Sequence, residues 1–211
     1  MIIRSLKAPL CFSRLIAWGC KMREFVYFSN SARTSGNFTD LMQAGRMDIV
    51  CHTLIAAFFI SHGIRQDVKL HMIFNGPPDP PKHLEFVYHP EMPLSKKDVA
   101  GLIKRMLYKS RQGQKTEVFP GCFIEKKSFV KLLEELDAEG KTLYILDREG
   151  DDIRELKKNE LENAVFVLGD HEGMPKKEMK RFKNVRRISL GPNIIFASQS
   201  VVILNNELDR R

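Results

Sequence analysis

Near its C-terminal end the chain carries a short apolar run of β type, Ala164–Leu168, and a second run, Val185–Leu190, and each stops at a glycine, Gly169 and Gly191. Strands that end this way place bare backbone at one edge of a sheet. Glycine has no Cβ, so a flat or charged ligand can come close to the main chain there. In open α/β sheets the edge beyond the carboxyl ends of the strands is where ligands sit. The alternative is that both glycines close their strands in ordinary turns, and spacing alone does not separate the two.

The rest of the chain alternates strand-type and helix-type segments. Glu24–Phe28, Val68–Phe74, Leu84–Tyr88 and Thr142–Leu146 read as strands; Met47–Ser61, Ser95–Arg111, Ser128–Ala138 and the closing stretch ASQSVVILNNELD read as helices. Alternation of this kind predicts an α/β fold with a mostly parallel sheet and helices on both faces. Nothing in the composition marks a domain break, so one domain is expected. Leu54–Ile60 is apolar on every face and predicts a buried helix, with Gly63 beyond it as a stop. Asn75–Pro81 (NGPPDPP) cannot continue a sheet, Gln112–Pro120 reads as a connection, and the acidic Asp147–Asp152 reads as a turn.

Several residues have the chemistry of a site. The polar loop after the first strand holds Arg33, Asn37 and Phe38, parts that can hold a phosphate and stack on an unpaired base, though surface loops carry such residues without a role. Arg46 and Asp48 stand at the start of the buried helix. Asp48 suits a helix N-terminus electrostatically, and Arg46 can grip a phosphate or a carbonyl group bidentately. Lys104, Arg105, Lys109 and Arg111 form either an RNA-facing stripe or a solvated helix face. His171, in GDHEG, is the histidine nearest the glycine edge.

Other chemistries find no support. No GxGxxG follows a strand and no GxxxxGK[ST] is present, so neither a dinucleotide site nor a phosphate loop is indicated. Cys11, Cys20, Cys51 and Cys122 lack CxxC spacing and a histidine cluster, which argues against a metal site and a disulfide framework; Cys51 reads as a small buried hydrophobe. The longest apolar run, Leu54–Ile60, is far short of the roughly 20 residues that cross a bilayer. The formal charge is +8, of which Arg4, Lys7, Arg14 and Lys21 supply four with no acid beside them. The remainder is mildly basic, as suits a polyanionic partner. Residues 1–21 make a poor signal peptide and read as an N-terminal extension without a functional role.

The order of motifs adds a further expectation. From Leu146 through LGDHEGMP to ISLGP and ASQSVVILNNELD, the chain resembles the SPOUT RNA methyltransferases. The front motifs MREFVYFSNSARTSGNF, AGRMDIVCHTLIAAFFISHGIRQDV and GPPDPP are similar to those of the archaeal tRNA pseudouridine N1-methyltransferases. The resemblance covers Met22 to the end. It implies one SPOUT domain over residues 22–211, with a C-terminal trefoil knot at about 142–211 that general folding rules would not foresee. It implies S-adenosylmethionine as cofactor, with Leu146 against the adenine, Gly169 beside the ribose or methionine part, and Leu190, Gly191, Pro192, Asn193, Ile194 and Ile195 wrapping it, together with Ser200. Family members carry cysteine where this chain has Ser200 (ASHC against ASQS), which puts a thiol role in doubt.

The implied reaction is methylation of N1 of pseudouridine in the T-loop of tRNA, after the base is turned out of its stack. Alternatives are a ribosomal RNA target, or an RNA-binding protein of the same fold without activity. N1 is free because the sugar is attached through carbon, but it is a poor nucleophile while it keeps its proton. Arg46 or Arg33 would stabilise the anion, and Asp48 or His171 would take the proton. Candidate catalytic residues are thus Arg46, Asp48 and Ser200; candidate RNA contacts are Arg33, Asn37, Phe38 and Arg46. The resemblance also implies a homodimer, and the reading as a whole a cytoplasmic protein without metal or membrane.

Overall fold

The computed structural model describes residues 22–110, 114–175, 179, 181–182 and 185–211. The expectations for residues 1–21 and for Arg111 lie outside this set. In chain order the elements are β1 (Arg23–Ser29), α1 (Met47–Phe58), β2 (Phe59–Ile60), β3 (Gly63–Ile64), β4 (Val68–Phe74), β5 (Lys82–Val87), α2 (Val99–Tyr108), β6 (Thr116–Phe119), β7 (Cys122–Glu125), α3 (Phe129–Ala138), β8 (Thr142–Asp152), β9 (Ala164–Leu168), β10 (Val185–Ser189) and α4 (Ala197–Asp209). Short 3-10 turns at Ile153–Glu155 and Lys158–Leu161 join β8 to β9.

The main sheet runs β10-β8-β9-β1-β4-β5-β7-β6. From β10 to β4 every pairing is parallel, and from β4 outward every pairing is antiparallel. The central strands are apolar on both sides, as strands covered on two faces must be. In β1, Phe25 and Tyr27 join a core with α1, α2 and α4, while Val26 and Phe28 join a second core with α3. Ser128 starts α3 as expected, its Oγ accepting from Lys131 N at 3.3 Å.

Four boundaries differ from the sequence reading. Helix α1 stops at Phe58, because Phe59 turns extended and enters the β2–β3 ribbon; Gly63 therefore serves that ribbon. Helix α2 starts at Val99, after a turn in which Asp98 N donates to Ser95 O. The presumed connection before Pro120 contains β6, hairpinned onto β7. The acidic stretch after Leu146 is not a terminal turn but belongs to β8. There β10 pairs Arg187 with Ile145 and then Ile188 with Asp151, so Leu146–Gly150 is looped out of the ladder. Gly150 lets the strands close behind this excursion: a Cβ there would lie 2.5 Å from Arg187 C and Ile188 N.

The closing helix packs inward on α1. Val201 and Leu204 are fully buried, and Asn205 Nδ2 donates to Ala56 O at 3.2 Å. Arg23 pairs with Asp67 and with Asp209, and Arg65 also pairs with Asp209, so the end of the chain is tied to the start of the sheet. Val202 on the same helix is exposed, at 54%.

One strip of the sheet is polar although buried. Glu24, His71, His83 and Glu125 form a chain across β1, β4, β5 and β7, with links of 3.0, 2.9 and 2.9 Å. The carboxylates are offset by Lys69, Lys141 and Lys127. His71, His83 and Glu85 offer metal-type donors within 4.8 Å of one another. The two imidazoles are 5.1 Å apart between centroids and only 19° from parallel, so their facing nitrogens meet head on. That geometry suits a hydrogen bond rather than two ligands angled toward a common ion.

Candidate functional site

The carboxyl ends of β8, β9 and β10 meet at a cavity of about 190 Å³. Its apolar walls are Leu146, Leu168, Ile188, Leu190 and Ile195, with Ala197 and Ser200 from the first turn of α4. Backbone enters at Gly169, Gly173 and Gly191. Gly191 has φ +134°, a conformation that side chains rarely adopt, and a Cβ there would meet nothing within 4 Å. The looped-out part of β8 supplies the rim through Asp147 and Arg148, and Arg187 holds Asp147 at 3.2 Å.

Sequence candidates therefore converge. Leu146, Gly169, Leu190, Gly191, Asn193, Ile194, Ile195 and Ser200 all line this one cavity; Pro192 is exposed and does not. Ser200 is buried, and its Oγ donates to Phe196 O at 3.3 Å, the ordinary use of a helical serine. Phe196 N in turn donates to Gln199 Oε1 and fixes the start of the helix.

Asp170, which sequence reasoning passed over, joins this cavity to the front of the chain. Its Oδ2 accepts from Ser29 Oγ at 3.0 Å and Asn30 N at 2.7 Å, and Oδ1 accepts from Glu172 N at 2.9 Å. Burial, and then the nearby charge of Asp170, pushes the Tyr27 hydroxyl well above the ordinary phenol range; Asp48 adds to this and Arg46 opposes it. The Arg46–Asp48 pair thus lies within electrostatic reach of the Tyr27 hydroxyl.

That pair is bidentate, with Arg46 Nε and Nη2 each 3.1 Å from Asp48. The guanidinium holds the Asp48 carboxyl below its usual range, which makes Asp48 a weak base. Arg46 itself takes a left-handed backbone at φ 59° to start α1. His171 is exposed beside Glu172 and is not among the cavity's lining residues.

In the loop after β1 the outcome is mixed. Asn37 is exposed, and Arg33 Nε is buried with no hydrogen-bond partner among the described residues. Phe38 is a correction: it is 7% exposed, sits in the core and is covered by Lys104 Nζ at 4.7 Å, so it offers no face to a base. Apolar neighbours in that core, not the polar loop around it, decide where the ring goes.

A concave, apolar-walled cavity with glycine backbone, at the carboxyl edge of parallel strands, defines a small-ligand-binding protein of the open α/β class. Comparison with known proteins narrows this. A family model described as "Putative SAM-dependent RNA methyltransferase" matches residues 22–211, and the chain belongs to that family. A tRNA (pseudouridine(54)-N(1))-methyltransferase of Methanococcoides burtonii is 37% identical over 196 residues, covering 90% of this chain and 96% of the relative. The Methanocaldococcus jannaschii protein of the same name is 32% identical over 203 residues, covering 90% and 98%. Among solved structures, Archaeoglobus fulgidus Nep1 bound to S-adenosylhomocysteine superposes with a TM-score of 0.62 at 13% identity, covering 90% of this chain and 98% of that one. This last likeness is one of fold.

Proposed function

We propose that the chain is an S-adenosylmethionine-dependent methyltransferase acting on N1 of pseudouridine in the T-loop of tRNA, at the position 54 named for its relatives. The observation that carries this is the convergence of Leu146, Gly169, Leu190, Gly191, Ile195 and Ser200 on one cavity in a chain 37% identical to an enzyme of that name.

The cavity fits such a cofactor: apolar walls bury a flat ring, and main chain at Gly169 and Gly191 can pair with its polar edge. S-adenosylmethionine supplies a methyl group on a sulfonium sulfur. The chain's own contribution is mainly alignment, which can supply about 7–11 kcal/mol of a barrier. Arg46 uses two donors on Asp48, leaving others of its five N–H groups to stabilise an anionic uracil ring. General-base help adds about 10²–10⁴-fold where a base is present, and a carboxylate held by arginine is poorly suited to it.

Residues 22–211 are read as one domain and about 142–211 as a trefoil knot, supported by β10 returning parallel beside β8 before α4 packs on α1. Ile194, Phe196 and Val202, exposed on the cavity rim and on α4, support a homodimer that pairs beside the site. Among the described residues no helix is long and apolar enough to cross a membrane; the free thiols of Cys51 and Cys122 support a cytoplasmic tRNA-modifying enzyme. The test is mass spectrometry of nucleosides after incubating protein and cofactor with a pseudouridine-containing T-arm. N1-methylpseudouridine is expected, and a uridine control should stay unmodified. Equal modification of uridine, or preference for a ribosomal RNA hairpin, would overturn the assignment.

A further inference from the structure

The last turn of α2 carries an aromatic ring that core packing leaves mostly outside. Tyr108 is 65% exposed, yet its ring packs against Gly36, where a Cβ would lie 2.7 Å from Tyr108 Cδ2 and Cε2 and 2.6 Å from Lys104 O. Gly36 belongs to the loop that starts at Asn30, whose N–H is held by Asp170 at the cavity. The ring is therefore connected to the cavity through a short, hydrogen-bonded loop, in which Thr34 Oγ1 also donates to Gly76 O.

Two lysines stand close to it in sequence. Lys104 Nζ lies 4.7 Å from the Phe38 ring and Lys109 Nζ 4.9 Å from the Phe119 ring, so among the described residues aromatic faces hold them. Arg105 between them is tied to Asp98 at 2.9 Å. An ammonium over a ring keeps its donors turned outward and its charge unneutralised, as phosphate recognition requires. An exposed ring packed on a buried glycine, with two such cations close to it in sequence, has the composition of a single-strand nucleic-acid platform, where bases stack on the aromatic and the backbone follows the charge.

We propose that Tyr108 stacks on an unpaired nucleotide of the T-arm loop and that Lys104 and Lys109 contact its phosphates. This rests on the tRNA reading above and extends it to a surface outside the cavity.

Equilibrium binding of a pseudouridine-containing T-arm RNA by the full chain, across roughly 50–200 mM salt, tests it. Tyr108→Leu, which keeps apolar bulk without a ring, should weaken binding about five- to a hundredfold at every salt concentration and leave the salt slope unchanged. Tyr108→Phe should bind like wild type. Lys104→Ala and Lys109→Ala should each reduce the slope by about 0.7–0.9. S-adenosylmethionine affinity, measured by calorimetry, should be the same in all four variants. If Tyr108→Leu binds the RNA within twofold of wild type, or the lysine variants keep the full slope, the platform is overturned while the enzyme reading stands. If the wild-type chain binds no T-arm RNA, both fall.

Discussion

Asp170 Oδ2 accepts the backbone N–H of Asn30 at 2.7 Å, joining the carboxyl end of β9 to that of β1 across 140 positions of sequence. The same oxygen takes the Ser29 hydroxyl at 3.0 Å. The loop that closes the cavity and the loop that leads toward Tyr108 thus share one carboxylate. Asp170→Asn can present an amide nitrogen where an acceptor is needed, leaving a donor facing donors. It should destabilise the fold by about 1–3 kcal/mol and weaken S-adenosylmethionine binding, as read by denaturant unfolding and calorimetry.

Ser200 lines the cavity, but its hydroxyl is engaged by Phe196 O. A nucleophilic role would make Ser200→Ala lose roughly 10²-fold or more in turnover, the scale on which removing a group that acts in the transition state is felt. The expected result is instead a change of less than about threefold in kcat for both Ser200→Ala and Ser200→Cys, since only one weak helical hydrogen bond is altered. Single-turnover methyl transfer would separate the two.

Gly191 sits at φ +134° in the loop from β10 to α4. Gly191→Ala meets no steric obstacle in space but must hold a backbone region that is costly for alanine, at about 1–3 kcal/mol. Thermal unfolding should move down accordingly, with S-adenosylmethionine affinity falling alongside because the loop forms the cavity wall.

Acid should unfold the protein through the polar strip. Burial pushes His83 down to about 4, while in the unfolded chain it titrates near 6.5. Between those values the unfolded state binds the proton and the native state does not, so stability must fall as pH falls. Glu125, lowered to about 2 by hydrogen bonds from His83 and Lys127 that outweigh its burial, adds a loss of the same sign below pH about 4.5. Urea midpoints should therefore drop from pH 7 to pH 5, and further toward pH 3. A His83→Gln variant should flatten the first part of that decline.

Much of the parallel half was legible because β1 and β9 are nearly continuous apolar runs with polar or glycine ends. The antiparallel wing was not: β6 reads TEVF, is only half buried, and draws its identity from pairing with β7. The end of α1 was missed because Leu54–Ile60 is apolar throughout, so no periodic signal marks where helix gives way to extended chain. In the site, eight of the nine residues the resemblance names for the cofactor line the cavity, and Pro192 does not. Asp170 was overlooked since its partners are remote in sequence. The available signal was an acid directly after a strand-ending glycine. Phe38 was misjudged for the reverse reason, an aromatic in a polar loop whose fate is set by tertiary neighbours.

The detour of Leu146–Gly150 away from the ladder has a consequence for how such a protein can diversify. Ile145 and Asp151 stand opposite the adjacent Arg187 and Ile188, and within the arc between them Gly150 is fixed by its close approach to β10. Ahead of Gly150, from Leu146 to Glu149, the arc makes no ladder pairing with β10, so exchanges there leave the register of the neighbouring strands in place. Selectivity at the rim can thus drift independently of the scaffold that carries it.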